Sequence, residues 1–158
     1  VFRVSVISNG DPLEIFTTRD GEVIFKKYSL IGGLEDFAAQ FCDTLARSSE
    51  FTAVITDRDS VIATAGPDKR DLIGRPLTSE MEQLMDGRSI YQRSRGDAAL
   101  PVCQGNDHLI AATAAPILCQ GDVLGLVLFA AGEGQYPDES EYKLAQTVSS
   151  FLGKHMES

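Results

Sequence analysis

The apolar residues of this chain change their period near its start, from two to between three and four, and that change limits what the chain can fold into. From Gly10 to Ser29 the sequence reads GDPLEIFTTRDGEVIFKKYS, two runs of alternating β-branched and aromatic residues on either side of Asp20-Gly21. Asp-Gly is a favoured two-residue hairpin loop, because both central positions of a type I′ turn need positive φ. A loop of that length sets Arg19 across from Glu22, Phe16 across from Phe25 and Glu14 across from Lys27, so an aromatic pair and opposite charges face each other. One face of the hairpin then carries Leu13, Ile15, Thr17, Ile24 and Tyr28, and the other Phe16, Thr18, Val23 and Phe25. Both faces need cover, and an isolated two-stranded hairpin is marginal in water. The hairpin therefore predicts a partner.

Beyond Tyr28 the spacing is helical. Leu34, Phe37, Ala38, Phe41 and Leu45 predict an amphipathic helix ending near Arg47. TAVITDRDSVIATAG predicts two strands, Thr52 to Thr56 and Ser60 to Ala65, joined at Asp57-Arg58-Asp59 and ended by Gly66-Pro67. Ser79 and Glu82 have the spacing of a capping box for a short helix that Gly87 stops. Three more strands are expected, Leu100 to Gln104, Leu109 to Leu118 and Asp122 to Ala131, the last two joined by Cys119-Gln120-Gly121-Asp122. A closing helix over 138–156 is predicted by the Asp138/Glu141 capping pair and the stripe Leu144, Val148, Phe151 and Leu152.

Composition narrows the class. The chain has 158 residues, 43% hydrophobic and 23% charged, enough for one full core and a small appendage. No apolar run approaches the ~20 residues that span a bilayer, and VFRVSVISNG has no cleavable signal pattern. A cytoplasmic protein without membrane contact is expected. Cys42, Cys103 and Cys119 are odd in number, widely spaced and without a CxxC, which predicts reduced thiols. The net charge of -9 lies wholly in residues 31–158, because positive and negative residues balance over 1–30. That larger part repels a phosphate backbone, so any nucleic acid must be met by the front end or by something attached to it.

The element order is α+β, with a central antiparallel sheet and the N- and C-terminal helices gathered on one face. It is the pattern of a GAF-like or PAS-like sensor domain, and AAPILCQGDVLGLVLFA, Ala114 to Ala130, resembles the strand-turn-strand of GAF domains. Taken jointly, GDPLEIFTTRDGEVIFKKYS, LEDFAAQF and AVITDRDSVIATAG resemble the stage V sporulation protein T family of transcription regulators. The resemblance implies an N-terminal AbrB-type swapped-hairpin DNA-binding head, a linking helix and a GAF domain. On this chain it implies a partial AbrB-type hairpin over 1–28, a linking helix over 29–50 and a GAF-like sensor domain over 51–158. The family's head begins with a strand-helix half bearing basic DNA-contacting residues, and residues 1–9 do not match it. The first half of the head is therefore expected to be missing, through truncation, alteration or loss of direct DNA binding. Arg19, Lys26 and Lys27 are weak candidates for DNA contact, fewer than the ~6–10 phosphate contacts of a typical binder.

The resemblance further implies self-association, as a dimer or tetramer. Leu13, Ile15, Phe16, Val23, Ile24 and Phe25 would interlock in the head, with Phe37, Phe41, Leu45, Val148 and Leu152 associating on the helices. It also implies a sensor pocket under the intervening helix, where Met81, Leu84, Met85 and Arg88 face Ile62, Thr64 and Ala112; flexible methionines suit a pocket and a plain core equally. Arg75, Arg88 and Arg93 are candidates for holding the carboxylate of a small metabolite. DNA is expected as a partner only through a complete AbrB-type head, with a small molecule as a possible ligand.

Enzymatic constellations are scarce. His108 and His155 are the only histidines, and neither has a carboxylate or cysteine at metal-ligand spacing, so no metal and no cofactor are expected. Gly132 to Gln135, GEGQ, lacks a phosphate-binding fingerprint. The expected function is a sporulation-type transcription regulator, not an enzyme, whose GAF domain senses a small molecule or mediates oligomerisation. The alternatives are an oligomeric GAF sensor or scaffold that does not itself bind DNA, and a thiol reductase of the GAF fold.

Overall fold

The computed structural model describes residues 13–17, 23–27, 35–67 and 71–156. The N-terminal hairpin, β1 (Leu13–Thr17) and β2 (Val23–Lys27), forms a two-stranded sheet of its own. Its register pairs Glu14 with Lys26, Ile15 with Phe25 and Phe16 with Ile24, one residue away from the pairing that a two-residue Asp20-Gly21 loop dictates. The shift in register has a simple geometric cause. A pairing of Thr17 with Val23 is centred on Asp20 itself, so the connection holds an odd number of residues. Glu14 keeps a lysine across from it in either register. The turn, with Arg19, lies outside the described residues.

The remaining elements are α1 (Glu35–Arg47), β3 (Thr52–Thr56), β4 (Val61–Ala65), α2 (Ser79–Gly87), β5 (Tyr91–Gln92), β6 (Pro101–Cys103), β7 (Asn106–Cys119), β8 (Asp122–Ala131) and α3 (Glu139–His155). Six of them form an antiparallel sheet in the order β4-β3-β8-β7-β5, with β6 also pairing β7. Strands β7 and β8 are joined as the sequence predicts: Cys119 pairs with Asp122, and both loop residues, Gln120 at φ 51 and Gly121 at φ 88, take the left-handed backbone of a type I′ turn. Both faces of the sheet are covered. Central strands β3 and β8 are therefore buried on both faces over most of their length, apolar except for Thr52 and Thr56 at the ends of β3, and do not alternate in burial there.

Each face has its own core layer. On one side α1 and α3 lie over the sheet, and Ala38, Cys42, Leu45, Ala145, Val148 and Leu152 pack with Ile55, Ile117, Val127 and Phe129. Ala145, Ser149 and Gly153 recur at every fourth position of α3, all buried, and let this helix approach β7 closely. Phe151, predicted in the apolar stripe, is instead half exposed. On the other side α2 supplies Met81 and Met85, which pack with Val54, Leu72, Leu77, Val102, Leu126 and Leu128.

Two helix ends differ from expectation in their chemistry. The N-cap of α2 is Thr78, one residue before the predicted Ser79, and its Oγ1 accepts from the Met81 amide at 3.3 Å. Thr78 Oγ1 also donates to the Pro101 carbonyl at 2.7 Å, a long-range contact that selects it over Ser79. At the other end Gly87 is the last helical residue, and Arg88 takes the left-handed cap at φ 58. The capping box of α3 is as predicted: Asp138 accepts from the Ser140 amide at 2.8 Å, and Glu141 accepts from the Asp138 amide at 2.8 Å.

Candidate functional site

Candidate residues are distributed over both layers. Met81 and Met85 are fully buried on the α2 face, and Leu84 packs at the margin of the same layer. Thr64 shares this face, since it pairs with Val54, and its hydroxyl donates to the Ala53 carbonyl at 3.0 Å. Ile62 and Ala112 belong to the opposite layer, against α1 and α3. Each sits where a strand register shifts, Ile62 on β4 and Ala112 on β7, and a bulge inverts the expected alternation. They do not share a face with the methionines. Arg88 is a helix cap whose guanidinium donates to the Gly121 carbonyl of the β7–β8 turn.

The short edge strand β5 has no counterpart among the elements that the sequence predicts, and it positions two buried polar side chains. Tyr91 pairs with Ala114, and the Arg93 amide donates to the Ala112 carbonyl at 2.8 Å, so the ladder continues one residue beyond the strand. Gln92 points to the other side, where its Oε1 accepts from Thr113 and its Nε2 donates to the Asp138 carbonyl. Residues 91 and 93 thus share one face. Tyr91 packs against the α2-side core, and its hydroxyl is buried without a hydrogen-bond partner. Burial, and secondarily the Asp97 carboxylate, raises the Tyr91 phenol above its usual pKa of 10.0, partly offset by Arg93.

Arg93 is only 4% exposed. Its Nη1 donates to the Glu133 carbonyl at 2.9 Å, while its Nε is buried with no partner. The guanidinium lies 5.0 Å from the ring centre of Tyr136, and Arg95 approaches the same ring at 5.3 Å. Two cations therefore flank one aromatic ring in the β8–α3 connection. Sequence alone gives no sign that Arg93 differs from Arg75 or Arg88, because its burial depends on a two-residue strand.

On the outer side of α1 and α3 a group of rings reaches the surface. Phe37 and Phe151 are 47% and 50% exposed. Phe41 and Phe151 have ring centres 5.4 Å apart, and Phe37 lies 5.5 Å from His155. Leu45, Val148 and Leu152, expected to associate across chains, are buried within the layer. No group of histidine, cysteine and carboxylate side chains among the described residues has metal-binding geometry. Lys26 and Lys27 fall on β2, by backbone position only.

A twisted antiparallel sheet with two helices on one face and α2 on the other is a GAF-like fold. Solved structures sharing it include a GAF domain/HD domain protein of Geobacter sulfurreducens, at TM-score 0.57 and 15% identity over 82% of this chain and 97% of that one. A phycocyanobilin-bound GAF domain of a cyanobacterial phytochrome matches at TM-score 0.54 and 19% identity, over 78% and 84%. A type II free methionine-R-sulfoxide reductase of Thermoplasma acidophilum matches at TM-score 0.58 and 9% identity, over 80% and 94%. These likenesses establish the fold alone.

Sequence goes further. Residues 33–157 match the family described as stage V sporulation protein T C-terminal, transcription factor. Stage V sporulation protein T of Bacillus subtilis is 38% identical over 155 residues, 98% of this chain and 86% of that protein. The chain belongs to the stage V sporulation protein T family, as GDPLEIFTTRDGEVIFKKYS and LEDFAAQF suggest. No helix among the described residues is long and apolar enough to cross a membrane.

Proposed function

We propose that this protein is a sporulation transcription regulator working in the cytoplasm, in which the GAF-like domain senses a small molecule and sets how a paired AbrB-type head meets DNA. The 38% identity to stage V sporulation protein T over nearly the whole chain carries this reading. The α2 layer supports sensing, because a single helix with flexible methionines covers that face of the sheet. The exposed Phe37 and Phe151 support self-association through α1 and α3. Oligomerisation is part of the mechanism. Moving a head from almost wholly inactive to almost wholly active takes about 5.5 kcal/mol of differential affinity, which a small ligand supplies when several subunits respond together. Burial pushes the Cys42 and Cys103 thiols up, away from the thiolate that a reductase needs, and this favours a non-enzymatic role.

A second reading, an oligomeric sensor that does not bind DNA by itself, is favoured by the charge of -9, all of it beyond residue 30. Gel-shift titration with duplex DNA across a salt series separates the two. Retardation that weakens steadily as salt rises supports the regulator. Absence of retardation at low salt leaves the second reading for this chain. Light scattering of the full chain and of the Phe37→Glu/Phe151→Glu variant tests the assembly, which the double variant is expected to dissociate.

A further inference from the structure

The structure assigns Arg93 and Tyr91 as the anchor for a carboxylate group of a small metabolite, a specification that rests on the sensing reading above. A guanidinium cannot shed its charge, and a buried ion is costly unless it is paired. Arg93 is buried, yet the ion pairs among the described residues join Arg58 with Asp86 and Lys143 with Glu139, not Arg93 with a carboxylate. Its neighbours satisfy it in part: Glu133 offers a carbonyl to Nη1 and Tyr136 a ring face. The edge left over is the one that carries Nε, whose N–H is buried and unpaired.

That edge matters chemically. Nε–H and an Nη2–H of a guanidinium point in parallel, and their spacing matches the two oxygens of a carboxylate. Tyr91, two residues away on the same face, adds a second buried donor without a partner. Two orphaned polar groups two residues apart are rare in a folded protein, where nearly all buried donors are bonded. Tyr91 packs against the apolar α2 layer, so the anchor suits a small molecule with a carboxylate head and a largely apolar body. A planar carboxylate fits better than a phosphate, whose second charge finds no second buried cation here: Arg95, the other guanidinium at Tyr136, is exposed.

The test uses the full chain, labelled with 15N and with 13C-methyl methionine, titrated with sodium acetate and sodium succinate against sodium chloride at matched ionic strength. Sodium phosphate is the comparison anion. The expected result is a saturable shift of the Arg93 Nε–H resonance with the carboxylates and not with chloride or phosphate. Arg93→Gln is expected to weaken binding at least about tenfold, and Tyr91→Phe, which keeps the ring in place, by about tenfold through loss of one bond to a charged group. Should Arg93→Gln fail to fold, the Nε–H shift in the unmodified chain and the Tyr91→Phe titration still decide. An Arg93 resonance that responds to phosphate alone, or to nothing, overturns the assignment. Shifts of the Met81 and Met85 methyls with Arg93 unmoved overturn it while leaving sensing intact. A saturable Arg93 shift that leaves DNA retardation unchanged keeps the anchor and removes the coupling of sensing to DNA binding.

Discussion

Gly153 of α3 rests directly on the Leu118 carbonyl of β7, so closely that a methyl group on Gly153 would overlap that oxygen. Backbone cannot step aside as a flexible side chain can. Gly153→Ala is therefore expected to destabilise the domain by about 1–3 kcal/mol through overpacking, even though alanine is the better helix former by about 1 kcal/mol. Urea denaturation measures it, and an unchanged midpoint would mean that α3 does not dock on β7 as described.

Thr56 closes β3 where its register with β4 shifts, and its Oγ1 accepts from the Leu126 amide at 3.1 Å in a fully buried setting. Thr56→Val keeps the shape and strands that amide. The expected loss is about 1–3 kcal/mol, whereas Thr56→Ser, which retains the acceptor, is expected to recover most of the hydrogen-bond contribution. Equal losses in the two variants, by denaturant midpoint, would assign the effect to packing.

Asp138 titrates below its usual 3.8, first because its carboxylate accepts from the Ser140 amide and then through its other bonds at the helix start. A depressed folded-state pKa means that the charged form stabilises the fold, fully above pH 3.8 and progressively less as acid protonates it. Asp138→Asn retains an acceptor at the cap but removes this pH dependence. Thermal unfolding followed between pH 5 and 2.5 is expected to show a shallower acid decline in the variant.

Cys42 lies between α1 and the sheet, and burial followed by the Asp43 carboxylate pushes its thiol up to about 12. Burial likewise raises Cys103. Neither thiol is expected to react with iodoacetamide at pH 8 in the native protein, and both should react in denaturant; mass-spectrometric mapping of labelled sites reads this directly. The unfolded thiol ionises near 9.0. Protonated burial of Cys42 therefore favours the fold below that pH and ceases to do so as pH rises toward 12, so Cys42→Ala should flatten the alkaline fall in stability.

What the sequence makes legible is what depends on near neighbours. Strands β3 and β8 fall on their predicted residues, α1 ends at Arg47, and the Asp138/Glu141 box is in place, each from a pattern complete within a few positions. What escapes it depends on distant partners. β5 is two residues long and exists because β7 offers it an edge, so Tyr91 and Arg93 carry no periodic signal. Ile62 and Ala112 change faces at bulges that no alternation announces. Thr78 prevails over Ser79 as a cap because Pro101, more than twenty residues on, accepts its hydroxyl. The hairpin register shifts by one residue because its loop has an odd length, which Asp20-Gly21 conceals.

The layer shared by α1 and α3 has a consequence during synthesis. Ala38, Cys42 and Leu45 share one apolar layer with Ala145, Val148 and Leu152, about a hundred residues further along the chain. On the ribosome α1 and the sheet emerge with one side bare, and they stay so until α3 has left the exit tunnel. The β7–β8 hairpin can zip early, because its turn is local. The face beneath α3 cannot close until that helix has docked, so Ile117, Val127 and Phe129 are left without half of their cover for as long as it is absent.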